Sequence, residues 1–109
     1  MTPSLPPAIA AFFDVDEAGD AVALPHGFAE DAVVIDERRT HTGRDAIAAW
    51  KAEASAKYTY TAKPVAAAGE GERIIVTAHL DGDFPGSPID LRYAFTLAGD
   101  LITRLEIAP

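Results

Sequence analysis

The sequence predicts an α+β domain in which helices pack on one face of an antiparallel sheet. Up to residue 57, apolar residues recur three and four positions apart, which is the spacing of amphipathic helices. From Tyr58 onward, apolar and polar residues alternate with the period of two that strands show. Helices that precede a run of hairpin-connected strands are typical of the α+β class.

The helices are predicted from caps and composition. A first helix is expected after Pro7, since proline suits the first helical turn, and its end is expected near Gly19. A short second helix is expected within residues 20–31, and an Ala-rich third helix over residues 43–58.

The strands are predicted from β-branched runs and turn residues. Residues 32–37, AVVIDE, read as a strand, and residues 38–43, RRTHTG, as a loop. Turn signals then separate four further strands, over residues 58–68, 72–84, 89–97 and 101–108.

Composition limits the function classes. A chain of 109 residues can bury one core, so residues 1–109 are expected to form a single domain. Its net charge of -8 argues against binding to nucleic acid or to anionic membranes. The chain has no cysteine, which excludes disulfides and thiolate catalysis, and no metal-ligand spacing such as His-x-x-x-His. No signal peptide or membrane span is predicted, so a cytoplasmic location is expected.

Three short motifs occur in order. Ala-Gly-Asp ends the first helix at residues 18–20, FAEDA leads into the first strand at residues 28–32, and GRDAI opens the third helix at residues 43–47. Together they resemble the nuclear transport factor 2-like superfamily, and most closely its SnoaL-like branch. The resemblance covers nearly the whole chain.

The resemblance implies a cone-shaped sheet wrapped around helices, with an apolar pocket at its open end and a homodimer formed through the outer sheet face. Related proteins include ketosteroid isomerases, polyketide cyclases and binding modules without chemistry, so the fold alone does not decide the function. One hypothesis is acid/base chemistry without a cofactor, such as isomerisation, cyclisation or dehydration, on a small apolar molecule. The alternative is a non-catalytic module for ligand binding or dimerisation.

Asp36 is the first candidate for a catalytic residue. It ends the apolar run of residues 33–35 and lies five residues after Asp31, where the resemblance to ketosteroid isomerases places the catalytic base. Desolvation at the mouth of an apolar pocket would raise its pKa, which suits a general base near neutral pH. The alternative is a solvated strand end, paired with Arg38 or Arg39.

Tyr93 and Asp90 compete for the position of a hydrogen-bond donor in the pocket. The text Pro-Ile-Asp at residues 88–90 resembles the sequence around the protonated aspartate of the isomerases. The same comparison places Phe12, which has no hydroxyl, where their tyrosine would lie. Strand parity favours Tyr93 for the pocket and Asp90 with Arg92 for the outer face, although a register slip of one residue would reverse this.

The remaining candidates are His41 and a set of pocket-lining residues. His41 precedes the third helix and could reach the pocket mouth near Asp36; a surface histidine is the alternative. Apolar helix faces and the expected pairing across the Gly99 turn predict the lining, although core packing would explain most of the same residues: Phe12, Phe13, Trp50, Phe95, Ile102 and Arg104.

Overall fold

In the computed structural model, which describes residues 3–109, two α-helices lie against a six-stranded sheet. The helices are α1 (Pro7–Ala18) and α2 (Arg44–Lys57), and a 3₁₀ turn spans Leu24–Gly27. The strands are β1 (Phe28–Asp36), β2 (Arg39–Thr42), β3 (Tyr60–Glu70), β4 (Arg73–Gly82), β5 (Ile89–Ala98) and β6 (Leu101–Ala108).

The sheet is curved and unclosed, with the strand order β2-β1-β6-β5-β4-β3. Neighbouring strands are antiparallel, except that β1 and β6 run parallel. The predicted α+β class with a curved sheet is confirmed. The parallel pair arises because the chain leaves β1 through β2 and α2 and returns to the other side of β1 only with its last strand.

The first helix begins and ends where the sequence predicts. Proline occupies its first turn, and Gly19 ends it in the left-handed conformation, with φ of 71°. Glycine adopts this conformation without a steric penalty from a Cβ atom. The next expected helix, within residues 20–31, is only the single 3₁₀ turn, which has Pro25 in its first positions and ends at Gly27.

The predicted loop at residues 38–43 is wrong. Residues Arg39–Thr42 form β2, which pairs with the end of β1 from Val33↔Thr42 to Asp36↔Arg39. The two-residue turn between these strands is Glu37-Arg38, and both residues have positive φ, of 51° and 66°. Such turns normally carry asparagine or glycine, so the sequence holds no sign of this hairpin.

A β-bulge changes the register of the last hairpin. Leu97 pairs with Ile102, but Thr96 pairs with Arg104, so Thr103 is an extra residue in β6. Beyond the bulge, Leu105 rather than Arg104 faces inward. The expectation that Arg104 lines the pocket therefore fails: its side chain is exposed and lies 3.3 Å from Glu106.

Aromatic side chains hold α1 against the inner face of the sheet. Phe12 and Phe13 from the helix meet Tyr93 and Phe95 from β5 edge to face, with ring centroids 5.0–6.1 Å apart. Phe28 at the start of β1 also contacts Phe12. All five are buried, so this cluster is the centre of the core.

A buried ion pair joins α1, α2 and β3. The Lys51 Nζ of α2 lies 2.8 Å from the Asp16 Oδ1 of α1, and it also donates to the backbone oxygen of Asp16 at 2.8 Å. Lys51 is 1% exposed and Asp16 5%. The Tyr60 hydroxyl of β3 donates to Asp16 Oδ1 and accepts from Lys51, both at 3.1 Å. Both charges are thus satisfied inside the protein, as burial of an ion pair requires.

The outer face of the sheet is polar where β4 and β5 meet. His79 Nδ1 lies 2.7 Å from Asp90 Oδ1, and both side chains are exposed. Arg92 is exposed on the same face, opposite Thr77. A homodimer through this face stays a prediction. Within residues 3–109, no helix is long and apolar enough to cross a membrane.

Phe95→Ala is expected to destabilise the fold by about 3–5 kcal/mol, because it leaves a cavity in the centre of the aromatic cluster. The measurement is urea denaturation followed by circular dichroism. Val22→Ala is the control, since Val22 is 80% exposed, and its free energy of unfolding should stay within about 0.5 kcal/mol of wild type. Equal effects of the two substitutions would contradict this description of the core.

Lys51→Met is expected to destabilise the fold by about 3–5 kcal/mol, because it leaves the Asp16 carboxylate buried without its cation. The double variant Asp16→Leu, Lys51→Met removes both charges and should regain most of that loss in the same urea measurement. If the double variant were less stable than the single one, the two charges would not be coupled as the geometry indicates.

Candidate functional site

An open pocket of about 780 Å³ lies beside the inner face of the sheet. Its wall is formed by the end of α1, one side of α2, the β1–β2 turn, strands β3 to β5 and the end of the chain. Aromatic and aliphatic side chains make up much of the lining, including Phe12, Trp50, Tyr58, Tyr60, Leu80, Phe84, Ile89, Leu91, Tyr93 and Ile107. Such a pocket suits a small molecule with a largely apolar body.

Asp36 ends β1 and lies in this pocket, half-buried. The indole Nε1 of Trp50 donates a hydrogen bond to Asp36 Oδ2 at 3.1 Å. Burial raises the pKa of the Asp36 carboxyl, and the Trp50 hydrogen bond and the charge of His41 offset part of that rise. No cation lies within ion-pair distance of Asp36 in the described part of the chain, so neither Arg38 nor Arg39 neutralises it.

His41 lies in β2, opposite Val34 of β1, and lines the pocket beside Trp50. The two ring centroids are 6.1 Å apart, and the rings are tilted by 36°. The imidazole is close enough to Asp36 for its charge to act on the pKa of that carboxyl. The β1–β2 hairpin thus brings the two groups to one side of the pocket.

Tyr93 presents its side chain to the pocket from β5 and is 4% exposed. Burial raises the pKa of its hydroxyl, and the charges of Asp16 and Asp36 raise it further. The hydroxyl is therefore protonated at neutral pH and is a hydrogen-bond donor. Within residues 3–109 it has no hydrogen-bond partner, so its donor is free for a ligand.

Most of the predicted site residues line the same pocket, and several others lie outside it. Asp36, Tyr93 and His41 line the same pocket, together with Phe12 and Trp50. Phe13, Phe95 and Ile102 are buried in the core and do not line it. Asp90 lies on the opposite face of β5, paired with His79, and Arg104 lies outside on β6. Their placement follows the strand parity and the bulge described above.

Asp16, Lys51 and Tyr60 also belong to the site, although the sequence did not single them out. Asp16 and Tyr60 line the inner part of the pocket, and Lys51 lies behind them. A signal was present: Asp16 follows Phe12 by four residues, and Lys51 follows Ile47 by four, so each charge lies on the apolar face of its helix. A charge in that position indicates either that this face of the helix is exposed to solvent or that the charge forms a buried ion pair.

The described residues of the pocket form no arrangement that suits a metal ion. Among the residues that the structure describes, no three His, Asp, Glu or Cys side chains are grouped so that they could hold one. The buried Asp16 carboxylate is engaged by Lys51, and the half-buried Asp36 carboxylate by Trp50. The site therefore offers hydrogen-bond donors and acceptors in an apolar pocket.

A family model and the solved structures to which the chain is similar point to the same family. The SnoaL-like domain model matches residues 9–105. A candidate polyketide cyclase from Sinorhizobium meliloti is 41% identical, with 95% of each chain covered and a TM-score of 0.90. No significant match is found among curated proteins.

Two more distant structures share the fold. A protein of ketosteroid isomerase-like fold from Catenulispora acidiphila, in complex with trimethylamine, is 23% identical over 97% of this chain and 87% of that one, with a TM-score of 0.85. An epoxide hydrolase/cyclase-like enzyme of pyran ring formation in the polyether salinomycin is 20% identical over 92% and 85%, with a TM-score of 0.77. With the family match over most of the chain, these comparisons show that the protein belongs to the SnoaL-like family of the nuclear transport factor 2-like superfamily.

Proposed function

We propose that the protein binds a small, largely apolar ketone and catalyses proton transfer at the carbon next to the carbonyl group, with Asp36 as the general base. The observation that carries this proposal is the Asp36 carboxylate, half-buried in an aromatic pocket and held by Trp50 without a cationic partner. This proposed activity is more specific than what the family membership supports, which is a small-molecule-binding protein.

The surroundings of Asp36 suit a base. Burial raises the pKa of the carboxyl, so the carboxylate is a stronger proton acceptor than it is in water. Trp50 donates to Oδ2, and the Glu37 backbone also favours the ionised carboxyl, but no other side chain within residues 3–109 bonds to it. The protein thus orients the base without neutralising it.

The groups in the pocket supply the proton acceptor and the hydrogen-bond donor that the proposed reaction needs. Asp36 takes a proton from the carbon next to the carbonyl, and the electron pair of that C–H bond forms the enolate. The Tyr93 hydroxyl donates a hydrogen bond to the enolate oxygen, where negative charge develops. The protonated Asp36 then returns its proton to the same carbon, or to another carbon of the enolate in an isomerisation. His41, beside Trp50, favours the ionised form of Asp36 that starts the cycle.

The type of reaction named for the similar structures is compatible with enolate chemistry. Polyketide cyclisation proceeds through enolates, and the candidate polyketide cyclase is similar over 95% of the chain. One feature separates this pocket from the isomerase pattern: Phe12 lines it where that pattern expects a tyrosine, and phenylalanine donates no hydrogen bond. Tyr93 is therefore the donor that the proposal depends on.

The proposal predicts that the protein accelerates hydrogen–deuterium exchange at the carbon next to the carbonyl of a ketone that it binds. 1-Tetralone in D₂O is a suitable first probe, with binding followed by protein NMR shifts and exchange by proton NMR. Asp36→Asn keeps an oxygen for Trp50 but removes the base, so exchange should fall by about 100-fold or more. The rate should rise with pH through the raised pKa of Asp36 and then level off.

Asp90→Asn is the matched control, because it removes an exposed carboxylate on the outer face and should leave exchange unchanged. Equal exchange by wild type and Asp36→Asn would contradict Asp36 as the base. Binding of the ketone without any acceleration would instead favour the non-catalytic binding module.

A further inference from the structure

Two polar atoms in the pocket are nearly enclosed and have no hydrogen-bond partner among the described residues. The Asp16 side chain is 4% exposed, and its hydrogen bonds from Lys51 and Tyr60 both reach Oδ1, so Oδ2 accepts none within residues 3–109. The Tyr93 hydroxyl is in the same situation, on a residue that is 4% exposed. One atom is an acceptor, and the other is a donor.

Both residues line the pocket. Among the described residues, Ser55 Oγ is the only side-chain polar atom that is both fully enclosed and without a hydrogen bond. Asp16 Oδ2 and the Tyr93 hydroxyl therefore keep some accessible surface, and the pocket is the space from which a ligand would reach them. A buried carboxylate oxygen without a partner is costly, so a ligand that supplies one gains affinity.

The surroundings of Asp16 decide which kind of group fits. Lys51 Nζ, at 2.8 Å from Oδ1, already balances the charge of the carboxylate. A ligand cation would bring a second positive charge next to Lys51, so a neutral donor is favoured. Tyr60, hydrogen-bonded to both charges, fixes the carboxylate so that Oδ2 keeps its direction. An alcohol or phenol hydroxyl meets these requirements.

We propose that Asp16 is a specificity-determining residue and that the ligand is a hydroxylated ketone, whose hydroxyl group donates to Asp16 Oδ2 while its carbonyl oxygen accepts from Tyr93. This rests on the proposed function for the ketone and adds the substrate class. Asp36 and Asp16 then have separate tasks: Asp36 reacts with the ligand, and Asp16 selects it. The charges of both act on the pKa of the Tyr93 hydroxyl, with that of Asp16 the stronger, so this hydroxyl lies within range of both carboxylates.

The test compares dissociation constants of matched probes for the full chain by isothermal titration calorimetry. The probes are 1-tetralone, its 4-, 5- and 6-hydroxy derivatives, and the corresponding methoxy derivatives, which cannot donate. At least one hydroxy derivative should bind wild type about tenfold or more tightly than 1-tetralone, since a hydrogen bond to a charged group is among the strong ones. Its methoxy counterpart should lose that gain.

Two variants assign the gain to its residue. Asp16→Asn keeps an oxygen for Lys51 and Tyr60 and turns an NH₂ group toward the pocket, so the preference for the hydroxy probe should disappear. Tyr93→Phe removes the hydroxyl that donates to the carbonyl oxygen of the ligand. It should weaken binding of the hydroxy probe and of 1-tetralone by the same factor, so the ratio of their dissociation constants stays unchanged. If Asp16→Asn does not fold, Asp36→Asn removes the other carboxylate of the pocket and should keep the preference for the hydroxy probe; loss of the preference in that variant would overturn the proposal.

The proposal is overturned if no hydroxy probe binds wild type more tightly than 1-tetralone, or if the methoxy probes keep the gain. It is also overturned if Asp16→Asn folds and keeps the preference. These results are distinct from a failure of the proposed function, which concerns exchange and Asp36. A hydroxyl preference without exchange would support the Asp16 subsite in a binding protein, whereas exchange without the preference would leave Asp36 as the base and remove the subsite.

Discussion

The buried ion pair between Lys51 and Asp16 is the interaction on which the arrangement of the pocket depends. It joins the last turn of α1 to the middle of α2, and Tyr60 adds β3 to the same network. Two charges removed from water are tolerated only when their geometry is good. The network therefore fixes the relative positions of α1, α2 and β3. The aromatic cluster around Phe12 and Phe95 supplies the apolar contacts, which are less directional. Together they support the inner end of the pocket on rigid elements.

Two carboxylates in one pocket have different surroundings, and their roles follow from that difference. Asp16 faces a cation and a tyrosine, so it is suited to binding and not to reaction. Asp36 is hydrogen-bonded by the indole of Trp50, has no ion-pair partner within residues 3–109, and burial raises the pKa of its carboxyl. Pairs of carboxyl groups whose environments differ in this way commonly divide the tasks of a site. Tyr93, which is protonated and has no hydrogen-bond partner within residues 3–109, is the proposed donor within range of both carboxylates.

Much of this could be predicted from the sequence, and the failures have physical causes. Periodicity and caps place α1, α2 and the long strands, and strand parity places Tyr93 inside and Asp90 outside. The β1–β2 hairpin was missed because Glu37 and Arg38 adopt positive φ without glycine or asparagine. The bulge at Thr103 moved Arg104 to the outer face, since local sequence does not determine where an extra residue enters a ladder. Asp16 and Lys51 were missed because a charge at helical spacing from an apolar residue indicates a buried pair only when its partner on the other helix is known.

The most direct test of the account is the pKa of the Asp36 carboxyl, measured by carbon-13 NMR titration of the native protein. The account predicts a pKa above the ordinary value of 3.8, because burial disfavours the carboxylate. It also predicts a further increase in Trp50→Phe, which removes the indole hydrogen bond that favours the ionised form. A pKa at or below 3.8 in wild type, with no increase in the variant, would show that Asp36 is solvated and would contradict its role as a poised base.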